Sequence, residues 1–381
     1  MSRLALHEGR PVSGQMIPIA KPVFSEEETD EVVKVLRSGQ VRQGAKVKEF
    51  EERFAQKVGS QYAFAVSSGT AALHVAYLSA LKPGDEVIVP AFTFIATASA
   101  VVFANAKPVF ADIDGESLTI DPEDVRRKIT SQTKAIAPVH LFGHAASMKA
   151  LQQIASEYNL FLINDAAQAH GTMFDGKDIG CFDDLNCYSF YPTKNMTTGE
   201  GGMVTTNNRD LWEKGKLLRS HGQSSKYYHT ILGLNYRMTD MAAVIGIKQL
   251  GRLDENIEKR RGNAEFLSRE LGKIDGIRVP VTKDNVKHSF HQYSILLDLA
   301  RLNCTRDDFV KALGAENIGA AVHYPVPLTR QPVFRDYANS CPVSEDISRR
   351  ILSLPVHPYL SKQDLAKVVA GVRKVATYHA R

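Results

Sequence analysis

Lys194 lies in SFYPTKNMTTGEGGMV (189–204), among hydroxylic, small and glycine residues where a packed interior would use Leu or Val. A lysine in such a setting can pair with a carboxylate, hold a phosphate as a point charge, or form an imine with a carbonyl once burial lowers its pKa. A solvated surface lysine is the ordinary alternative. FLINDAAQAHG (161–171) supplies a second group: Asp165 ends an apolar run and precedes small residues, Gln168 and His170. A carboxylate there is costly to desolvate unless a cation meets it. A protonated pyridine nitrogen is such a cation, and an Asp paired with it lets a pyridoxal ring act as an electron sink.

VSSGTAALHVAYLSAL (66–81) follows the strand-like YAFAV and opens a helix at Gly69 and Thr70. Glycine admits close approach of the backbone, the helix N-terminus offers unpaired N–H groups, and the hydroxyls add donors, so the segment can cradle a phosphate. The same SGT also serves as a plain helix cap. In chain order the residues form a phosphate cup, an acid for a ring nitrogen and an aldehyde-reactive amine, which is the inventory of a pyridoxal 5'-phosphate site.

These groups need elements to hold them. Between about 60 and 210, β-branched runs alternate with helical patterns. EVIVP precedes an Ala-rich stretch, KPVFADID precedes DPEDVRRKI, KAIAPVH precedes ASMKALQQIASEYN, and FLIND closes the series. Such alternation predicts an α/β fold, a mostly parallel central sheet with helices on both faces, whose ligands collect beyond the carboxyl ends of the strands. Upstream, SEEETDEVVKVLRSG predicts a helix started by a Ser25–Glu28 capping box and stopped by Gly39. From about 238 one long charged helical pattern leads into SFHQYSILLD and a final QDLAKVVAGVRKVATYH. The expected organisation is an N-terminal segment (1–24) packing near the small domain, a large cofactor-binding domain (25–250) and a smaller C-terminal α+β domain (251–381).

Composition narrows the function class. A 381-residue chain with 44% hydrophobic residues is long enough for one large core and a second, smaller one. The 47 Lys and Arg against 42 Asp and Glu leave a net charge of +5 spread without a dense block, which suits an anionic small ligand better than nucleic acid. Four cysteines without CxxC spacing suggest reduced thiols, with neither a zinc site nor a disulfide framework. Nothing reads as a membrane span or a signal peptide, so the expected location is the cytoplasm.

From IPIAKPVFSEEE at residue 17 to the C-terminus the chain resembles the DegT/StrS/DnrJ nucleotide-sugar aminotransferases, which are fold-type I pyridoxal phosphate enzymes. SSGTAAL, PAFTFIATA, DAAQAHG, SFYPTKNMTTGEGGMV and GLNYRMTD carry the likeness in the family's order. The resemblance implies that Lys194 holds the cofactor and moves the proton during transfer, that Asp165 partners the pyridine nitrogen, and that Gln168 lies near the ring hydroxyl. It implies phosphate contacts at Gly69, Thr70 and Ser189, and a ring-stacking aromatic at Phe94, which the residues alone would place in a core. Asn235 matches an asparagine that reaches the cofactor phosphate of a neighbouring subunit, implying a homodimer; by itself it reads equally as a turn residue after Gly233. His323 and Tyr324 match residues near the substrate pocket. Arg237 can meet a substrate carboxylate or phosphate or serve a structural ion pair, and Lys226 is a further diphosphate candidate.

Two positions depart from the family, which most often has His at Tyr191 and at Thr329. The second faces the substrate side in the family, so it bears on which sugar is used. The implied reaction passes an amino group from an amino acid, glutamate by analogy, to a 4-keto or 3-keto nucleotide-linked deoxysugar. Alternative acceptors are a keto cyclitol or a related ketone. A sugar dehydratase, in which His replaces the lysine, and a non-catalytic cofactor-binding regulator are competing readings; Lys194 speaks against the first, and the lack of basic runs against the second.

Overall fold

The computed structural model describes residues 3–182 and 184–381. Helix α1 (Glu26–Ser38) has both halves of the capping box, with Ser25 Oγ accepting from Glu28 N–H and the Glu28 carboxylate accepting from Ser25 N–H, and it ends at a left-handed Gly39. After α2 (Ala45–Val58) come β1 (Tyr62–Val66), α3 (Gly69–Ala80), β2 (Glu86–Pro90), α4 (Ala96–Phe103), β3 (Lys107–Ala111), α5 (Pro122–Lys128), β4 (Thr133–Ile136), α6 (Met148–Tyr158) and β5 (Phe161–Asp165). The short β6 (Met173–Phe174) and β7 (Lys177–Asp178) pair with each other; β8 (Leu185–Ser189), β9 (Gly202–Thr206) and α7 (Arg209–Arg219) follow.

The central sheet has 7 strands in the order β1-β9-β8-β5-β4-β2-β3. Pairings from β3 through β2, β4 and β5 to β8 are parallel, whereas β9 is antiparallel to both β8 and β1. Side chains alternate faces along the strands. Ile88, Leu162 and Tyr188 pack with Phe50 and Phe54 of α2 and Leu151 of α6, while Val87, Val89, Ile163 and Cys187 pack with α3, α4 and α7 on the other face. Burial on both faces explains why EVIVP and FLIND read as nearly continuous apolar runs.

A hairpin of β10 (Gln223–Ser225) and β11 (Tyr228–His229) precedes α8 (Asp240–Gly251) and α9 (Leu253–Leu271). The single long helix expected here is therefore two. Gly251 is a weak helix former, and the Arg252 guanidinium is held by the buried Glu28 carboxylate at 2.7 Å, which fixes the break.

Beyond α9, β12 (Ile277–Arg278), β14 (Tyr293–Leu297) and β15 (Ile351–Leu354) form an antiparallel sheet, and β13 (Val286–Lys287) joins β6. Helices α10 (Arg306–Ala315) and α12 (Lys362–His379) cover a cluster with α9 and these strands, and Leu4 and Ile17 pack into it. The buried Glu316 accepts from Ala5 N–H, Val12 N–H and Lys374 Nζ, tying residues 5–12 to this cluster. Helix α11 (Pro342–Arg350) docks at the end of β3. Among the described residues no helix is long and apolar enough to cross a membrane.

Candidate active site

A cleft of about 530 Å³ opens beyond the carboxyl ends of β1, β5 and β8. Asp165, the last residue of β5, is 4% exposed at its floor. Thr97 Oγ1 donates to Oδ2 at 2.7 Å and Ala167 N–H to Oδ1 at 3.1 Å. Burial raises the Asp165 pKa above the ordinary carboxylate value, opposed by these two donors and by the charge of Lys194. Two neutral donors leave much of a buried carboxylate's accepting capacity open.

Lys194 reaches the same cleft from the connection between β8 and β9, which is bound to itself at several points. Phe190 N–H donates to Gly201 O at 2.8 Å, Thr198 N–H and Thr197 Oγ1 donate to Phe190 O at 3.0 and 2.8 Å, and Lys194 N–H donates to Tyr191 O at 2.9 Å. The side chain is half-buried, and desolvation lowers its pKa to about 8 against the pull of Asp165. An amine of that acidity is neutral, and so nucleophilic, in a sizeable fraction near neutral pH.

Helix α3 begins at the cleft wall. Ser68 Oγ caps it by accepting from Ala71 N–H at 3.1 Å, while the first-turn N–H groups of Gly69 and Thr70 precede any i−4 carbonyl of the helix. The SGT segment is thus both a cap and a set of free donors. A Cβ at Gly69 would stand 2.6 Å from Ser189 Cβ, so glycine alone lets this turn meet the last residue of β8. Gly69, Thr70 and Ser189 all line the cleft.

Phe94 also lines it and is 52% exposed, which places it on the wall ahead of α4 and not in a core. Gln168 is buried, with Oε1 accepting from Phe142 N–H at 2.8 Å and Nε2 donating to Tyr324 Oη at 3.0 Å. His323 lies beside Lys194, with Nδ1 3.4 Å from Ser353 Oγ; burial, reinforced by the lysine charge, depresses its pKa to about 4. Its imidazole is therefore neutral at physiological pH.

Asn235 and Arg237 are not brought into this cleft. Asn235 is exposed and bridges Ser220, and Arg237 pairs with Val66 at the end of β1. Of the two departures from the family pattern, Tyr191 lines the cleft at 48% exposure, whereas Thr329 is 3% exposed, away from it, with Oγ1 lacking a hydrogen-bond partner. Sequence reasoning missed Thr97, His291 and Gln292. Thr93 and Thr97 left one legible signal, two hydroxyls four apart in an apolar stretch; Thr93 lies ahead of α4 and Thr97 in its first turn, and the hydroxyls stand 3.2 Å apart. His291 and Gln292 had none, because they come from beyond α9.

Residues 22–373 match the model of the DegT/DnrJ/EryC1/StrS aminotransferase family, and the chain belongs to that family. It is an aminotransferase with the α/β fold of these enzymes. It is 38% identical to the UDP-N-acetyl-3-dehydro-alpha-D-glucosamine 3-aminotransferase of Acidithiobacillus ferrooxidans, over 90% of this chain and 91% of the relative. The solved structure of DesV from S. venezuelae, in complex with a ketimine intermediate, superposes with a TM-score of 0.90 at 34% identity, covering 94% of this chain and 99% of that one. The protein Spr1654 of Streptococcus pneumoniae, solved in PLP and PMP forms, gives a TM-score of 0.89 at 27% identity over 95% of this chain and at least 98% of each of those.

Proposed function

We propose that this aminotransferase seats pyridoxal 5'-phosphate in the cleft and passes an amino group from an amino acid, glutamate, to a keto sugar carried on a nucleotide, at C4 or C3 of a deoxysugar. The observation that carries the reading is the convergence of Asp165 and the Lys194 amine on one cleft whose wall is the free N-terminus of α3. The donor set suits the cofactor. The under-satisfied Asp165 carboxylate answers a ring N–H, and the Gly69–Ser189 approach leaves a cup that any larger side chain would fill. The relatives acting on, or solved with, such compounds support the same assignment.

When bound, the cofactor supplies an aldehyde that accepts an amine and a ring that takes up the electron pair of a broken C–H bond. The chain does the rest. Lys194 Nζ would hold the cofactor at its aldehyde carbon and, once the amine of the amino-acid substrate has displaced it, the freed neutral amine would take a proton from the substrate carbon as base and return it as acid. Asp165, itself oriented by Thr97 and Ala167, would hold the ring nitrogen by charge. Ser68 to Thr70 and Ser189, which line the same cleft, would hold the phosphate, and Phe94 would supply an aromatic surface for the ring. Amino acid and keto sugar use the cleft in turn.

The active unit in this reading is a homodimer. Among the described cleft-lining residues Lys194 is the sole Lys or Arg, so a nucleotide diphosphate needs cations from outside the lining, and the exposed Asn235 and half-buried Arg237 do not line their own chain's cleft. The same reading divides the chain into the segment 1–24, a large domain to about 250 and a small domain after it, and puts the reaction in the cytoplasm. The test is a half-reaction screen in which enzyme loaded with the amine form of the cofactor meets keto sugars and keto cyclitols. Restoration of the aldehyde-form absorbance by a nucleotide-linked keto sugar supports the proposal; restoration only by cyclitols transfers it to that class. Lys194→Ala should lose about 10⁴-fold in activity or more, and retained turnover would sink it.

A further inference from the structure

Gln168 and Tyr324 form a hydrogen-bonded pair whose polarity is fixed by the backbone. Phe142 N–H can only donate, so the Gln168 atom 2.8 Å from it is the carbonyl Oε1, and the amide cannot be flipped. Nε2 is then the atom facing Tyr324, and since an amide nitrogen does not accept, Tyr324 Oη accepts at 3.0 Å. The phenolic hydrogen cannot lie on that contact and must point elsewhere. Tyr324 lines the cleft with Asp165 and Lys194, and its ring is held at 6.1 Å from Phe92 and 6.0 Å from Phe94. Burial and nearby Asp165 push the phenol's pKa up, so it keeps its proton across the working range.

We propose that Tyr324 is a hydrogen-bond donor to the cofactor's ring oxygen and, through Gln168, a positioning residue for a second donor to that oxygen. This rests on the cofactor assignment above. Of the cofactor's polar groups, Asp165 answers the ring nitrogen, the start of α3 the phosphate and Lys194 the aldehyde carbon, which leaves the ring oxygen, the group near which the family resemblance sets Gln168, as the one for the Tyr324 hydroxyl hydrogen. An anionic oxygen suits two donors locked outward, and His323 and His291, both with depressed pKa values, offer no charge in their place. Donors at that oxygen favour the form in which the Lys194-linked nitrogen has lost its proton, and so lower the pH at which the visible absorbance of the loaded protein converts.

The test is a spectral pH titration of the cofactor-loaded protein, wild type against Tyr324→Phe, which keeps the ring and its packing. The conversion should move upward by about one pH unit on loss of one hydrogen bond to a charged oxygen. A second variant, Gln168→Glu, retains an acceptor for Phe142 N–H but turns the other atom into an acceptor, drawing the Tyr324 proton away from the cleft; it should shift the conversion in the same direction. An unchanged titration in both variants, with borohydride still fixing the cofactor's mass on Lys194, overturns this proposal alone. Wild-type protein that traps no such adduct overturns it together with the cofactor assignment.

Discussion

Two aspartates sit at the carboxyl ends of parallel strands, Asp112 just after β3 and Asp165 as the last residue of β5, and both are buried. The Asp112 carboxylate accepts from Ile113 N–H, Val343 N–H, Ser344 N–H and Ser344 Oγ, all at 2.6–2.9 Å, and so pins the N-terminus of α11 to the sheet. The Asp165 carboxylate has one hydroxyl and one amide. The same residue in the same topological setting is a finished joint in one place and an open valence in the other. Donor supply, more than burial or strand position, separates a structural carboxylate from one reserved for a ligand.

The largest effect that could break this contrast is on turnover. Asp165→Asn should lower kcat/KM on the order of 10³-fold, measured with the acceptor found in the screen, because an amide does not hold a positive ring N–H. Asp112→Asn should leave kcat per folded molecule within about a factor of three, since no catalytic group touches it. Gly69→Ala comes next, with a Cβ 2.6 Å from Ser189 Cβ. Cofactor affinity, read by fluorescence titration, should weaken by about 10- to 100-fold, with the fold intact by circular dichroism.

Stability should invert the ranking. Asp112→Asn places an amide NH₂ or a weaker acceptor against donors that now close on a carboxylate, and should lower the melting free energy by about 2 kcal/mol. Asp165→Asn should raise the melting temperature of cofactor-free protein at neutral pH, because it removes a buried charge that lacks a full set of partners. The sign follows from the raised pKa. Below the unfolded value of 3.8 both states are protonated and the wild type carries no penalty; as pH rises through the raised folded value the unfolded state ionises first and the penalty becomes complete. The gap between variant and wild type should therefore open with rising pH, and a gap that closes instead would contradict the account. The smallest effect concerns the amine: in cofactor-free protein, labelling of Lys194 by an amine reagent, followed by peptide mass, should rise through about pH 8, well below the 10.5 of a free lysine.

Local chemistry made much of this legible. Ser25, Glu28 and Gly39 bounded α1, the β-branched runs gave the central strands, and Lys194, Asp165 and Gly69 stood out because each is the wrong residue for an interior unless a ligand meets it. What was hidden depends on residues distant in sequence. Nothing in KPVFADID foretells that Asp112 will cap a helix starting at Pro342, nor does DAAQAHG disclose that Gln168 is oriented by Phe142 and Tyr324. The break between α8 and α9 was missed because it depends on Arg252 meeting Glu28 across the fold. Asn235 and Arg237 matched a motif, yet a motif carries no information about whether its residues reach the cleft of their own chain.

The reversal of β9 beside β8 has a practical consequence for anyone redesigning the enzyme. Most connections in such a sheet cross over through a helix and can absorb extra length at the surface, but residues 190–201 return directly to a neighbouring strand and are laced shut through Phe190 and Gly201. Length-varying libraries should find this stretch intolerant of a single inserted residue, while the exposed hairpin around Tyr227 accepts several.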